Sequence, residues 1–140
     1  MLRVVVDPNV VVSAAITPDG TTGRVVRAGL AGRFRFLVCP QLLDELRTVL
    51  LRPSFRRYVT VEEVVELVKA ITGAADHEQD PAVRAATRDP GDDYLVALAA
   101  GANADRLVSG DPDLLEFPTS PVKVSSPRDF LDELENLPTD

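Results

Sequence analysis

The residues best placed to do chemistry in this sequence are four acids: Asp7, Glu45, Asp92 and Asp111. Asp7 follows Val4-Val5-Val6 and precedes Pro8-Asn9. Three β-branched residues in a row read as a strand buried on both faces, and a proline cannot continue a central strand. Asp7 is therefore expected at the carboxyl edge of a central strand, where open α/β sheets bind ligands. Asp111 follows Leu107-Val108-Ser109-Gly110 in the same manner, and Asp92 opens the apolar stretch Tyr94–Ala100. On a helical wheel of residues 41–51, Leu42, Leu43, Leu46, Val49 and Leu50 centre one face, and Glu45 falls at its border. Taken singly, each acid has an ordinary structural role. Asp7 and Asp111 are turn formers, Asp92 is a helix N-cap worth about 1 kcal/mol, and Glu45 is a border residue that can swing to solvent.

Taken together, the four acids require something more. Two unit charges ~6 Å apart at an effective dielectric of ~20 repel by roughly 3 kcal/mol. Four ionised carboxylates make six such pairs, on the order of 15 kcal/mol in all, which rivals the stability of a domain. Such a cluster persists only if acids are protonated or a cation sits among them. Oxygen donors alone select a hard ion, Mg²⁺ or Mn²⁺, and these ions usually work on phosphates. Metal-dependent phosphoryl transfer is the chemistry expected if the acids converge. The chain has one His (His77) and one Cys (Cys39), so a Cys/His zinc site within it is excluded.

The totals fit one globular domain. The chain has 140 residues, 45% of them hydrophobic and 26% charged. We expect a domain over residues 1–137 and a short tail at 138–140. No apolar run approaches the ~20 residues that cross a bilayer, the first strand leaves no room for a leader, and the lone cysteine fits a reducing cytoplasm. The net charge is −7, but its distribution is uneven. Residues 1–60 hold nine arginines against four acids, and residues 61–140 hold six Lys/Arg against eighteen acids. A basic face for a polyanion is thus available despite an acidic total.

Elements that would position the acids follow from periodicity and punctuation. Helices are expected over Val10–Ile16, from Thr22 to Gly29 or Gly32, and over Gln41–Leu51. A capping box at Thr60-Val61-Glu62-Glu63 opens a further helix that closes near Gly73. Later helices are expected over Asp93–Ala102, Asp113–Phe117 and Phe130–Leu137. Strands are expected at Val4–Val6, Phe34–Cys39, Arg106–Ser109 and Val122–Val124, with Val83 marking a possible edge strand in a polar stretch, 76–91. Alternating strands and helices imply a parallel sheet of four to five strands with helices on both faces.

The order of these pieces resembles the PIN-domain family, in particular its VapC-like toxins of toxin–antitoxin systems. The pieces are Val4-Val5-Val6-Asp7-Pro8-Asn9-Val10, Leu42-Leu43-Asp44-Glu45-Leu46, Asp89-Pro90-Gly91-Asp92-Asp93-Tyr94-Leu95-Val96-Ala97-Leu98-Ala99 and Leu107-Val108-Ser109-Gly110-Asp111-Pro112-Asp113-Leu114-Leu115. The resemblance spans about residues 2–130. It implies an Mg²⁺- or Mn²⁺-dependent endoribonuclease whose acids are Asp7, Glu45, Asp92 and Asp111. Asn9 and Ser109 would be polar helpers, and Asp93 and Asp89 the alternatives for the third acid. The family usually has Thr where Ser109 stands. By this resemblance Asp7, Asp92 and Asp111 hold one cation, Glu45 completes a second site or orients water, and the products carry 5′-phosphate and 3′-hydroxyl ends. A homodimer and an antitoxin that blocks the cleft are implied as well.

For gripping RNA, Arg52, Arg56 and Arg57 with Phe55 and Tyr58 combine phosphate-binding guanidiniums with stacking rings. A solvated basic loop with two core aromatics is the structural alternative. Arg24 and Arg27 would extend the same face. Two other functions remain open. A receiver-like Mg²⁺-binding signalling domain also carries acids at strand ends, but it needs paired acids after strand one, and the second strand here ends in Val38-Cys39-Pro40. A PIN fold kept for RNA or protein binding alone would not need all four acids.

Overall fold

The computed structural model describes residues 1–82, 93–116 and 120–137. In chain order the elements are β1 (Arg3–Val6), α1 (Pro8–Ile16), α2 (Thr21–Leu30), β2 (Arg35–Val38), α3 (Pro40–Leu50), α4 (Val61–Ala74), β3 (Asp76–His77), α5 (Asp93–Gly101), β4 (Arg106–Val108), α6 (Pro112–Leu115), β5 (Val124–Ser125) and α7 (Pro127–Glu135). A single 3₁₀ turn, Pro53–Phe55, sits between α3 and α4.

The five strands form one sheet in the order β3-β2-β1-β4-β5, and every pairing is parallel. β1 is central: Val4 stands opposite Phe36 on one side, and Val5 and Val6 stand opposite Leu107 and Val108 on the other. Side chains along a strand alternate between faces, and Val4, Val5 and Val6 are all buried. Helices therefore cover both faces, as the β-branched run requires. The first three strands step outward from β1 in one direction and β4 returns to its other side. The topological switch lies between β1 and β4, and in such sheets the crevice forms beyond the carboxyl ends at that point.

Among the described residues, four of the seven α-helices begin on a proline: Pro8, Pro40, Pro112 and Pro127. Helices α1, α6 and α7 thus start one to three residues earlier than periodicity alone predicts. At the first helical position proline's missing N–H is no loss and its fixed φ is already helical. The Thr60 capping box forms in full, with Thr60 Oγ1 accepting from Glu63 N at 3.0 Å and Glu63 Oε1 accepting from Thr60 N at 2.9 Å. Helix α4 closes at Ala74, next to Gly73 as expected.

The edge strand is Asp76–His77, within the stretch expected to wind over the surface, and Val83 lies outside the described residues. Strand β5 sits two residues later than expected, and α6 ends at Leu115. Against the sheet, α2 lies close to two rings: a Cβ at Gly29 would fall 2.4 Å from Phe36 Cζ and 2.6 Å from Phe34 Cζ. Phe34 meets Phe36 and Phe130 edge-on, at centroid distances of 4.9 and 5.2 Å. These rings lock α2, β2 and α7 into one core and so fix the layer that faces the crevice.

Candidate active site

Asp7 is both the end of β1 and the N-cap of α1. Its backbone N–H donates to Val108 O at 2.9 Å, so the ladder holds it one residue beyond the strand. The side chain is 2% exposed. One carboxylate oxygen, Oδ1, accepts from Asn9 N at 2.9 Å; the other, Oδ2, accepts from Ser109 Oγ at 2.8 Å. Both donors are neutral, and no cationic side chain pairs with Asp7 among the described residues. Burial holds the Asp7 carboxyl above the usual carboxylate range; the bonds from Asn9 and Ser109 pull it down, and the nearby charge of Asp111 raises it further.

Asp111 occupies the matching place after β4, as N-cap of α6, with Oδ1 accepting from Asp113 N at 2.9 Å. Ser109, fully buried, links the two acids. Its hydroxyl donates to Asp7 and accepts from Asp111 N at 3.0 Å. Asp7, Ser109 and Asp111 thus meet at the switch between β1 and β4. Beside them opens a cleft of about 430 Å³, walled by Asp7, Asn9, Gly110 and Asp111 and continued by Ser13 and Thr22. Thr22 Oγ1 donates to Ser13 Oγ at 3.0 Å, giving the far wall a hydroxyl pair that periodicity did not single out.

Glu45 sits on the border of α3, half-buried between buried Leu42, Leu43 and Leu46 and exposed Asp44. Its Oε1 accepts from the hydroxyl of Tyr94 on α5 at 2.7 Å. Tyr94 is 2% exposed. Burial first, then the bond to Glu45, raise the tyrosine hydroxyl above its usual range, with Cys39 and Asp7 adding smaller amounts. The Asp7 charge thus acts, weakly, on the hydroxyl that Glu45 binds. Periodicity alone places Tyr94 in the core; the signal for more is a lone ring with a polar tip opening an otherwise aliphatic helix. Asp92 and Asp89 lie outside the described residues, and Asp93 is described only as the first residue of α5. Among the described residues no three His, Cys, Asp or Glu side chains form a ready-made metal cage; the described acids form the Asp7–Asp111 pair and Glu45 held through Tyr94.

The arginines separate into groups. Arg56 is half-buried and donates to Leu50 O, capping the end of α3, where a cation complements the helix dipole. Arg52 is exposed, and Arg57 is exposed with its guanidinium carbon 5.3 Å from the centroid of the Tyr58 ring. Arg24 pairs with Glu135 at 2.9 Å and Arg27 donates to Pro18 O at 2.6 Å. His77 lies on β3, two strands from β1, with Nε2 2.9 Å from Thr72 O. No helix among the described residues is long and apolar enough to cross a membrane.

Comparison with known proteins agrees with this architecture. A family profile described as "PIN domain" matches residues 3–113. An uncharacterized protein of Methanocaldococcus jannaschii, MJ1680, is 25% identical over 146 residues, covering 97% of this chain and 94% of its own. Among solved structures, PAE2754 from Pyrobaculum aerophilum superposes with a TM-score of 0.65 at 15% identity, covering 97% of this chain and 91% of its own. VapBC2 from Rickettsia felis, solved bound to a DNA fragment from its promoter, gives 0.59 at 12% identity, covering 89% of this chain and 98% of the matched one.

Proposed function

Because the chain belongs to the PIN-domain family, whose members are in general nucleases, we propose that it is a divalent-cation-dependent endoribonuclease. It hydrolyses phosphodiester bonds in RNA as the toxin of a toxin–antitoxin pair. The observation that carries this reading is the Asp7 carboxylate. It is buried, bonded among the described residues only to neutral donors, and set near a second acid, at the rim where doubly wound sheets take ligands.

A hard cation fits these residues, since an ionised Asp7 has no positive partner among the described residues and the donors are all oxygen. Asp7 and Asp111 would hold Mg²⁺ or Mn²⁺, with Asp92 as third acid, Asp93 or Asp89 as its alternatives, and Glu45 at the far end of the rim. Bound there, the ion supplies charge neutralisation of the phosphate and activation of water. The protein's part is positioning. Asn9 N–H and Ser109 Oγ–H fix the Asp7 carboxylate, and the same Ser109 hydroxyl pins the backbone of Asp111. Glu45 would complete a second cation site or orient water there. With His77 two strands away and bonded elsewhere, proton transfer falls to carboxylates.

Arg52, Arg57 and the Tyr58 ring supply the grip on single-stranded RNA, while Arg56 acts by holding the end of α3. A cytoplasmic location, a homodimer and an antitoxin that covers the cleft complete the reading; the VapBC pair seen in the Rickettsia felis structure supports the partner. End-group analysis of cleaved RNA tests it. Fragments with 5′-phosphate and 3′-hydroxyl ends are expected, and 2′,3′-cyclic phosphate ends, which need no metal-activated water, would overturn it.

A further inference from the structure

Helix α5 is aliphatic from Leu95 to Ala100, and its one ring, Tyr94, is buried at its start. A buried tyrosine hydroxyl needs a partner, and a backbone carbonyl would satisfy it at no electrostatic cost. The partner here is instead a carboxylate from another helix, 49 residues away in sequence, at 2.7 Å. That length is of a well-formed O–H···O bond, and an ionised carboxylate acceptor makes such a bond charge-assisted. Glu45 is half-buried on a helix border from which its flexible side chain could turn to water. Among the described residues its other oxygen, Oε2, makes no hydrogen bond and no cation pairs with it.

Resting on the nuclease reading above, we propose that Tyr94 is a positioning residue of the cation site: its hydroxyl holds Oε1 of Glu45 and so presents Oε2 to the rim shared with Asp7 and Asp111. The tyrosine touches neither substrate nor ion. It acts by removing the rotamers in which Glu45 faces solvent, as hydrogen-bond partners behind metal ligands commonly do.

The test is Mn²⁺ binding to the whole chain, measured by calorimetry without RNA, for wild type, Tyr94→Phe, Glu45→Ala and the double variant. Tyr94→Phe is expected to weaken Mn²⁺ binding by about tenfold, and on the Glu45→Ala background to change it less than twofold. Unchanged affinity in Tyr94→Phe, or a loss that adds in full to that of Glu45→Ala, would overturn the proposal, because a packing role does not depend on Glu45. Should Tyr94→Phe fail to fold, a second measurement decides. In a Tyr58→Phe background Tyr94 is the sole tyrosine, and its emission, quenched by proton sharing with the carboxylate, should rise on Glu45→Ala. Constant emission would overturn the contact. Wild-type protein that binds no Mn²⁺ defeats the metal-site reading as a whole; Mn²⁺ held equally by wild type and Tyr94→Phe defeats only the role given to Tyr94.

Discussion

Ser109 Oγ donates to Asp7 Oδ2 at 2.8 Å, joining the ends of the two central strands across 102 residues of sequence through a fully buried hydroxyl. The same oxygen accepts from Asp111 N at 3.0 Å. One hydroxyl thus sets the orientation of one acid and the backbone of the other.

Ser109→Ala removes a donor from a buried carboxylate and an acceptor from a part-buried N–H. Leaving such groups unsatisfied costs about 1–3 kcal/mol each, so the melting temperature should fall by several degrees and Mn²⁺-dependent cleavage about tenfold or more. Ser109→Thr keeps the hydroxyl and should retain most of the activity at a smaller loss of stability from the added methyl. Thermal melts with cleavage rates for the two variants check this; equal losses would separate the hydroxyl from the site.

The Asp7 carboxyl titrates above its ordinary value, burial being the main cause. Ionising it therefore costs the folded state more than the unfolded chain. The associated stability is full below the unfolded value, near pH 4, and is lost as pH rises through the folded value. In EDTA, Asp7→Asn should melt a few degrees above wild type at pH 7, the scale on which about 1 kcal/mol acts in a domain of this size. The advantage should vanish below about pH 4. A variant less stable than wild type at pH 7 contradicts it.

A cation that binds only the folded chain stabilises it by mass action, about 2.7 kcal/mol at 100 times its dissociation constant. Mn²⁺ should raise the melting temperature of wild type, and Asp7→Asn or Asp111→Asn should abolish most of that rise. Differential scanning with and without Mn²⁺ reads it directly.

Gly29 tests the fold apart from the chemistry. A methyl there meets the Phe34 and Phe36 rings at under 3 Å, so Gly29→Ala should destabilise by about 1–3 kcal/mol despite alanine's better helix propensity. A stabilised variant in denaturant titration would show that α2 can lift from the rings.

Much of this was legible in sequence because the physics was local. The Val4–Val6 run could only be buried on both faces, the capping box at Thr60 needed only its own four residues, and the wheel put Glu45 on the border where it is found. Periodicity places three helix starts late, at Pro8, Pro112 and Pro127, because proline is weighed there as a breaker, whereas Pro40 reads directly as a first helical residue. Strand β3 was missed for a different reason: Asp76-His77 has no alternation of its own and pairs only because β2 offers an edge. Tyr94 and Arg56 needed tertiary knowledge, since an aromatic in an apolar helix and a basic residue in a loop do not announce a carboxylate or a helix end as their partners.

The central claim is that Asp7 and its acidic neighbours hold a divalent ion that cuts RNA. It is tested most directly by incubating single-stranded RNA with wild type and with Asp7→Asn, each with Mn²⁺ and with EDTA. Cleavage by wild type in Mn²⁺ alone, reduced at least a hundredfold by Asp7→Asn, is the predicted result; equal cleavage by the two proteins, or cleavage that persists in EDTA, would contradict it.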